Sequence, residues 1–493
     1  MNFLEALENV NNRTLTDNGA PAFRSTMNDC LDFFGMSSRT NVENTVRLFN
    51  RAFIADPETA IRTLFYFRDV RGGQGERAFV HACLKSIAGD PRMKDLIRLL
   101  PEYGYWKDIL IFHDTSAWDF CVEFIRETLN KDIENMADNK PVSLLAKWLP
   151  SNNAGKSSRA LANSLSVALG YTERQYRKVL ARLRAHIKIV ETNMCNNEWG
   201  AINYPAVPSR AHFMYRNAFK KHDSVRYIEY ISKVKSGEVK INAKTLYPCE
   251  IFSKVGYEPN NSGELDVMWK ALPNYINKPY NGLVIADTSG SMHYPKIGSF
   301  SPLDVSMSLA TYIAERNPSE IWKNKFLIFS NEPELLTLKG NSLSDYVKCF
   351  PEIVSSNTDL IKVAELIVKA GKNSNIPDSE MPSVLTIISD MQFDNFNKIN
   401  GVIDSNVTPH KEFSSKFTKA GYSVPKIIYW NVNNSKNVPV TFDEYGTAFV
   451  TGFSPSAMVG ILGAETTSPV DIMVKTVYNE RYDPVGNLFV ELR

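Results

Sequence analysis

Tyr280–Met292 reads YNGLVIADTSGSM. A short apolar run stops on Asp287, and small hydroxyl residues then surround Gly290. That is how a buried strand looks when it ends in a polar, tightly turned loop. The pattern recurs downstream in KFLIFS (325–330), in SVLTIIS (383–389), which runs into Asp390, in PKIIYW (425–430) and in Thr447–Thr451. Leu303–Ala314, Asp359–Ala370 and Lys411–Ala420 carry apolar residues at helical spacing between these runs, and Ser456–Leu462 does so after the last. Strands alternating with helices predict βαβ units and a parallel sheet. Near-continuous apolar strands predict a sheet covered on both faces. The expectation is a doubly wound, Rossmann-like α/β domain over 276–465, with 466–493 as an unassigned tail.

The chain reads differently upstream. Val42–Phe53, Glu58–Arg68, Ala78–Ile87, Met93–Leu100, Trp118–Leu129, Val142–Trp148, Ser158–Leu169 and Glu173–Val190 all show helical periodicity, separated by loops of Gly, Pro, Asn and Ser. Many helices joined by short connections predict an α-helical repeat domain of the HEAT or armadillo kind over 1–275. No strict internal repeat is visible, so one ordinary all-helical domain fits the same pattern. The fold class expected for the chain is therefore all-α followed by α/β.

Composition narrows the function classes. The 493 residues are 43% hydrophobic and 22% charged, close to the soluble average, which excludes a disordered, collagenous or coiled-coil chain as a whole. No apolar run approaches the roughly 18 residues of a membrane span. The N-terminal MNFLEALENVNNR is acidic and amphipathic, unlike a secretory signal. Six scattered cysteines contain no C-x-x-C pair, which argues against a zinc site or a disulfide framework; a cytoplasmic, reducing location is expected. Charge is unevenly divided. Residues 141–240 hold 17 Lys/Arg against 6 Asp/Glu, a net of +11, whereas 281–493 hold 18 against 23, a net of −5. Two modules facing different partners are expected.

In an open α/β sheet, ligands bind beyond the carboxyl ends of the strands. Asp287, Ser289 and Ser291 follow the first strand, Thr358 precedes a helix, and Asp390 follows a central strand. Two carboxylates and three hydroxyls are hard oxygen ligands, suited to Mg²⁺, Mn²⁺ or Ca²⁺. So sparse a set leaves a coordination position open on a hydrated ion. The order D-x-S-x-S, then Thr, then Asp resembles the metal-ion-dependent adhesion site of von Willebrand factor A domains, and the likeness covers roughly 276–465. The resemblance implies that the metal captures an acidic group from a protein partner.

The segments RDVRGGQGER (68–77), PEYGYWKDIL (101–110), LLAKWLPS (144–151), YRKVLARLR (176–184) and VPSRAHFMYRNAF (207–219) resemble an uncharacterised family of plant, bacterial and viral proteins. Its members pair a helical region with a C-terminal von Willebrand A module. That architecture is similar to the Ro autoantigen (TROVE) proteins, whose ring of helical repeats binds small structured and misfolded RNAs. The resemblance to Ro is architectural and transfers no RNA-contact residue.

Nucleic-acid contacts are expected instead from the basic residues themselves. Arg174, Arg177, Lys178, Arg182, Arg184 and Lys188 lie on one predicted helix, most of them toward one side. Arg210, Arg216, Lys220 and Lys221 follow, interleaved with Phe213, Tyr215 and Phe219. Clustered cations bind phosphate and nearby aromatics stack on unpaired bases, although a solvated helix face over core aromatics reads the same way. A weaker phosphate cradle is expected at Arg71, Gly73, Gly75 and Arg77, where the alternative is a tight interhelical turn. Asn153–Ser157 (NAGKS) lacks the first glycine and the preceding strand of a P-loop. Seven histidines form no H-x-x-x-H, and no general acid/base set stands out, so no enzyme is expected. The function expected is a non-catalytic, RNA-binding, Ro-like scaffold with a divalent-metal ligand site. The alternatives are a metal-dependent protein–protein adaptor without nucleic acid and a viral structural or assembly protein.

Overall fold

The computed structural model describes residues 10–152, 155–257, 262–276, 278–296, 300–329, 332–351, 357–395, 398–399, 402–403, 407–463 and 468–492. The chain forms two compact units. One, bearing the main sheet, comprises 1–64, 72–74 and 246–482; the other, helical, comprises 65–71, 75–245 and 483–493. The units therefore do not follow the expected boundary at 275.

The described strands are β1 (Arg13–Leu15), β2 (Pro21–Phe23), β3 (Gly282–Ala286), β4 (Lys325–Ile328), β5 (Glu334–Thr337), β6 (Val384–Ser389), β7 (Lys398–Ile399), β8 (Val402–Ile403), β9 (Lys426–Asn431) and β10 (Thr447–Thr451). The main sheet runs β10-β9-β6-β3-β4-β5. Its pairings are parallel except for β5, which returns antiparallel to β4. Register sets apolar residues side by side: Leu283 against Leu385, Ile285 against Ile387, and Leu385 against Ile427. Every residue of β3 and β10 is buried, as is all of β6 after Val384. A sheet covered on both faces needs apolar side chains in both directions, hence the unbroken runs. The helices Pro302–Arg316, Leu360–Asn373 and Pro409–Lys419 connect successive strands. Capping fixes where they start: Ser301 and Asp304 form a capping box, and Asp359 accepts from the N–H groups of Ile361 and Lys362.

The sheet recruits residues that sequence assigned to the helical region. Helix Asp29–Met36 lies against β10, so close that a Cβ on Gly35 would stand 2.2 Å from the Phe449 ring. The Asn431 amide donates to Gly35 O, and the Thr451 hydroxyl to Ser37 O. The expected tail also belongs here up to Tyr482: helix Pro469–Val477 packs on β10.

The helical unit holds Ala78–Ser86, Met93–Tyr103, Trp118–Ala137, Lys156–Leu169, Glu173–Ile187, Ser209–His222 and Ser224–Lys235, with shorter turns between. Its core includes Leu96, Ile97, Leu100, Cys121, Ile125, Leu165, Leu180 and Leu183. A buried Arg68–Asp108 ion pair lies inside it, with His81 Nε2 2.9 Å from the other carboxylate oxygen. Among the described residues no helix is long and apolar enough to cross a membrane.

Candidate metal centre

Strand order reverses at β3, whose neighbours are β4 on one side and β6 on the other. At such a switch point the loops leaving two parallel strands diverge and open a crevice. Asp287 leaves β3 and Asp390 leaves β6 at that place. Register puts Ala286 beside Ile388, and Asp287 N–H donates to Ile388 O at 2.9 Å. The two loops therefore start in contact.

Asp287 is completely buried. Its Oδ1 accepts from Ser289 N–H at 2.9 Å and its Oδ2 from the Ser389 hydroxyl at 2.5 Å. Burial, and then the charge of Asp390, push its pKa up to about 7. Asp390 is 3% exposed. Burial raises its pKa too, and Asp17 adds to this, while hydrogen bonds from Ser291 and from Gln392 N–H work the other way. Among the described residues neither carboxylate has an ion-pair partner. Ser289 Oγ and Ser291 Oγ lie 3.1 Å apart. Thr358 is fully buried, and among the described residues its hydroxyl has no hydrogen-bond partner. Its backbone ties it to the β6 loop: Thr358 N–H donates to Asp394 Oδ2 at 2.7 Å, and Asp394 N–H to Thr358 O at 3.1 Å.

Two facing buried carboxylates and an orphaned buried hydroxyl are each unfavourable alone. A hard cation would answer both, by neutralising the carboxylates and using the hydroxyl lone pairs. The donor set thus fits Mg²⁺ or Mn²⁺ chemically. Among the described residues no three His, Cys, Asp or Glu side chains converge as a metal group, so such an ion would depend on hydroxyls and water beyond the two carboxylates.

Residues 281–483 match the family described as Domain of unknown function (DUF7788). Residues 16–117 and 155–274 match Domain of unknown function (DUF2828). The chain is also similar to Uncharacterized protein L728 of Acanthamoeba polyphaga mimivirus, at 26% identity over 523 residues, covering 96% of this chain and 89% of the viral protein. These are resemblances to uncharacterised proteins, one of them viral.

Sequence reading missed the supports of this centre. Ser389 orients Asp287, and Asp394 anchors Thr358. The N-terminal loop braces the β6 loop: Asp17 N–H donates to Gln392 Oε1 at 2.7 Å, the Asn18 amide to Gln392 O at 2.7 Å, and the Thr16 hydroxyl to Phe393 O at 2.8 Å. Ser389 and Asp394 flank Asp390 and were available as polar neighbours. The Thr16–Asn18 contacts span some 375 residues and leave no local signal.

The basic residues lie in the helical unit and divide into two sets. Arg174, Arg177, Lys178, Arg182, Lys188, Arg210 and Lys221 are exposed, and Lys220 is half-buried. Arg184 instead donates to Ala146 O, Leu149 O and Ser151 Oγ, each at 2.8 Å, and so pins one turn to another. Arg216 is 4% exposed, bonds to Phe213 O and stacks on the Phe213 ring. These two arginines are corrected from nucleic-acid contacts to packing residues. Phe219 is likewise core, within a cluster of Tyr204, His212 and Tyr227. Of the expected phosphate cradle, Gly73 is buried in the sheet-bearing unit and its carbonyl accepts from Ser456. Gly75, at φ +60°, directs its N–H to Asp69 O. Arg71 bonds to Glu102 O, and Arg77 is exposed at the start of helix Ala78–Ser86. The glycines build a turn, and their internal bonds and burial count against a phosphate cradle there.

Proposed function

We propose that the protein is a non-catalytic binding protein whose sheet-bearing unit takes up a divalent cation, Mg²⁺ or Mn²⁺, on Asp287, Ser289, Ser291, Thr358 and Asp390. One observation carries this: a fully buried Thr358 hydroxyl without a partner among the described residues, held against the loop of a carboxylate that itself faces another. The centre stands at the carboxyl ends of parallel strands, as in the von Willebrand A domains it resembles. Two carboxylates leave the ion a residual positive character and open positions filled by water. An acidic side chain of a protein partner replaces one such water. The helical unit binds RNA through the exposed Arg174, Arg177, Lys178 and Arg182, in the manner of a Ro-like scaffold.

Two measurements test the reading. An immobilised peptide carrying a solvent-exposed Asp or Glu captures the protein in Mg²⁺ but not in chelator, and Asp390→Ala abolishes the capture. Capture that survives chelation contradicts the metal-bridged mode. Structured RNA shifts the protein in a gel at low salt, and the shift weakens steeply as salt rises, because phosphate contacts release counterions. No shift at low salt removes nucleic acid and leaves the metal-dependent adaptor.

A further inference from the structure

The loop that carries Asp390 is strained. Met391 stands at φ +65°, a left-handed conformation that a bulky side chain adopts only at a cost. Its side chain is 1% exposed, and Gln392 and Phe393 beside it are buried too. Such a residue keeps its conformation only where its surroundings hold it. Part of the hold is internal. Met391 N–H donates to the Ser389 hydroxyl at 3.0 Å, and that hydroxyl donates to Asp287. Gln392 N–H donates to Asp390 Oδ1 at 3.1 Å. The turn at Met391 therefore aims both carboxylates, one through Ser389 and the other through Gln392 N–H.

The rest of the hold comes from the turn between β1 and β2. Thr16 is 6% exposed. Its hydroxyl donates to Phe393 O and accepts from Ala20 N–H at 2.9 Å, so one buried group both closes the turn and docks it. Asp17 N–H and the Asn18 amide engage the side chain and the carbonyl of Gln392. Gly19 pairs with Asp394, the residue that anchors Thr358. The ion pair of Lys436 with Asp17 is largely exposed on both sides and contributes little. The hairpin is tied to the sheet side once more, where Phe23 and Val438 exchange both backbone hydrogen bonds.

We propose that the turn at 16–19 is a positioning element of the metal centre, and that its docking and the uptake of the cation are coupled. The inference rests on the metal reading above and goes beyond it. Three of the five donor residues, Asp287, Asp390 and Thr358, are aimed by residues 389–394, and this turn holds those residues from outside. An ion on two carboxylates and a few hydroxyls binds modestly, so ordering the loop at the moment of uptake would cancel much of the gain. A docked turn removes that cost beforehand. Linkage makes the effect reciprocal: where docking raises cation affinity, the cation stabilises docking by the same factor.

The test titrates Mn²⁺ calorimetrically into the full chain, into Thr16→Val and into Thr16→Ser. Alongside, hydrogen–deuterium exchange over residues 13–23 is followed in the wild-type chain with and without saturating Mn²⁺. Valine keeps the shape but leaves Phe393 O and Ala20 N–H without their bonds to residue 16, whereas serine keeps the hydroxyl. Thr16→Val is expected to weaken Mn²⁺ binding about tenfold, Thr16→Ser to bind as the wild type does, and Mn²⁺ to slow exchange over 13–23. A folded Thr16→Val with a lower melting temperature but wild-type Mn²⁺ affinity makes the turn merely structural; it overturns the coupling and leaves the metal centre standing. Should Thr16→Val fail to fold, exchange in the wild-type chain decides alone: Mn²⁺ binding without slower exchange over 13–23 overturns the inference. A wild-type chain that takes up no Mn²⁺ removes the metal centre, and this inference with it.

Discussion

Thr358 and His212 are both buried residues with a polar atom that finds no partner among the described residues, and they make opposite cases. Thr358 points to a missing ligand atom, because its backbone is anchored to a carboxylate-bearing loop. Without metal, Thr358→Val is expected to be neutral or stabilising by up to about 1 kcal/mol, since it removes an unpaired hydroxyl and keeps the shape. With Mg²⁺ present the sign reverses. Thermal melts of both proteins, with and without the ion, check this. His212 sits among Tyr204, Phe219 and Tyr227, with Nε2 3.1 Å from Tyr227 Oη. Burial pushes its pKa down to about 4. The unfolded chain therefore binds more protons than the fold between pH 6.5 and 4, and stability falls as pH drops through that window. The loss from pH 7 to pH 5 is about 2 kcal/mol for this group. In urea titrations at the two pH values, His212→Phe should flatten the slope by about that amount. An unchanged slope places the histidine outside the core.

Elements were legible where burial alone writes the pattern. GLVIA and VLTIIS are apolar at every position or nearly so because both faces of β3 and β6 are covered, and a single sequence suffices to see it. The edge strand β5 exposes Glu334, Leu335 and Thr337, so no apolar run announces it. The N-terminal hairpin β1–β2 is too short to show a period. Asp287, Ser289, Ser291, Thr358 and Asp390 were readable because each abuts a strand end or helix start. The role of Arg184 was not: a helical wheel puts Arg177, Lys178 and Arg184 broadly on one side, and only the path of residues 146–151 separates them. Arg184→Ala is expected to destabilise the protein by about 2–4 kcal/mol, leaving carbonyls unpaired. Reversing the charges of Arg174, Arg177 and Lys178 together should change stability by less than about 1 kcal/mol. Urea midpoints for the two variants decide. Equal losses would mean that Arg184 is an ordinary surface residue.

At the scale of the molecule, the sheet-bearing unit is discontinuous, and this was invisible to a reading that worked along the chain. Phe33 and Phe34 are essentially inaccessible on the helix that covers β10, and Val438 pairs with Phe23 through both backbone groups. Composition changes near 275, but residues 10–64 fold with the later sheet. The fragment 276–465 is therefore expected to aggregate or stay partly unfolded, with Phe449 and its neighbours uncovered. Far-ultraviolet circular dichroism and size exclusion of that fragment check it; a monomeric, cooperatively melting fragment would show the N-terminal segment to be dispensable. Phe33→Ala in the full chain should cost about 3–5 kcal/mol.

The account turns on whether two buried carboxylates and three hydroxyls hold an ion. Calorimetric titration of Mn²⁺ into the full chain and into Asp287→Asn addresses this most directly, because the amide keeps the shape and removes the charge. The wild-type chain is predicted to bind one ion at this centre, with modest affinity, and Asp287→Asn to show no such heat while remaining folded. Equal Mn²⁺ binding by the two proteins would contradict the metal centre.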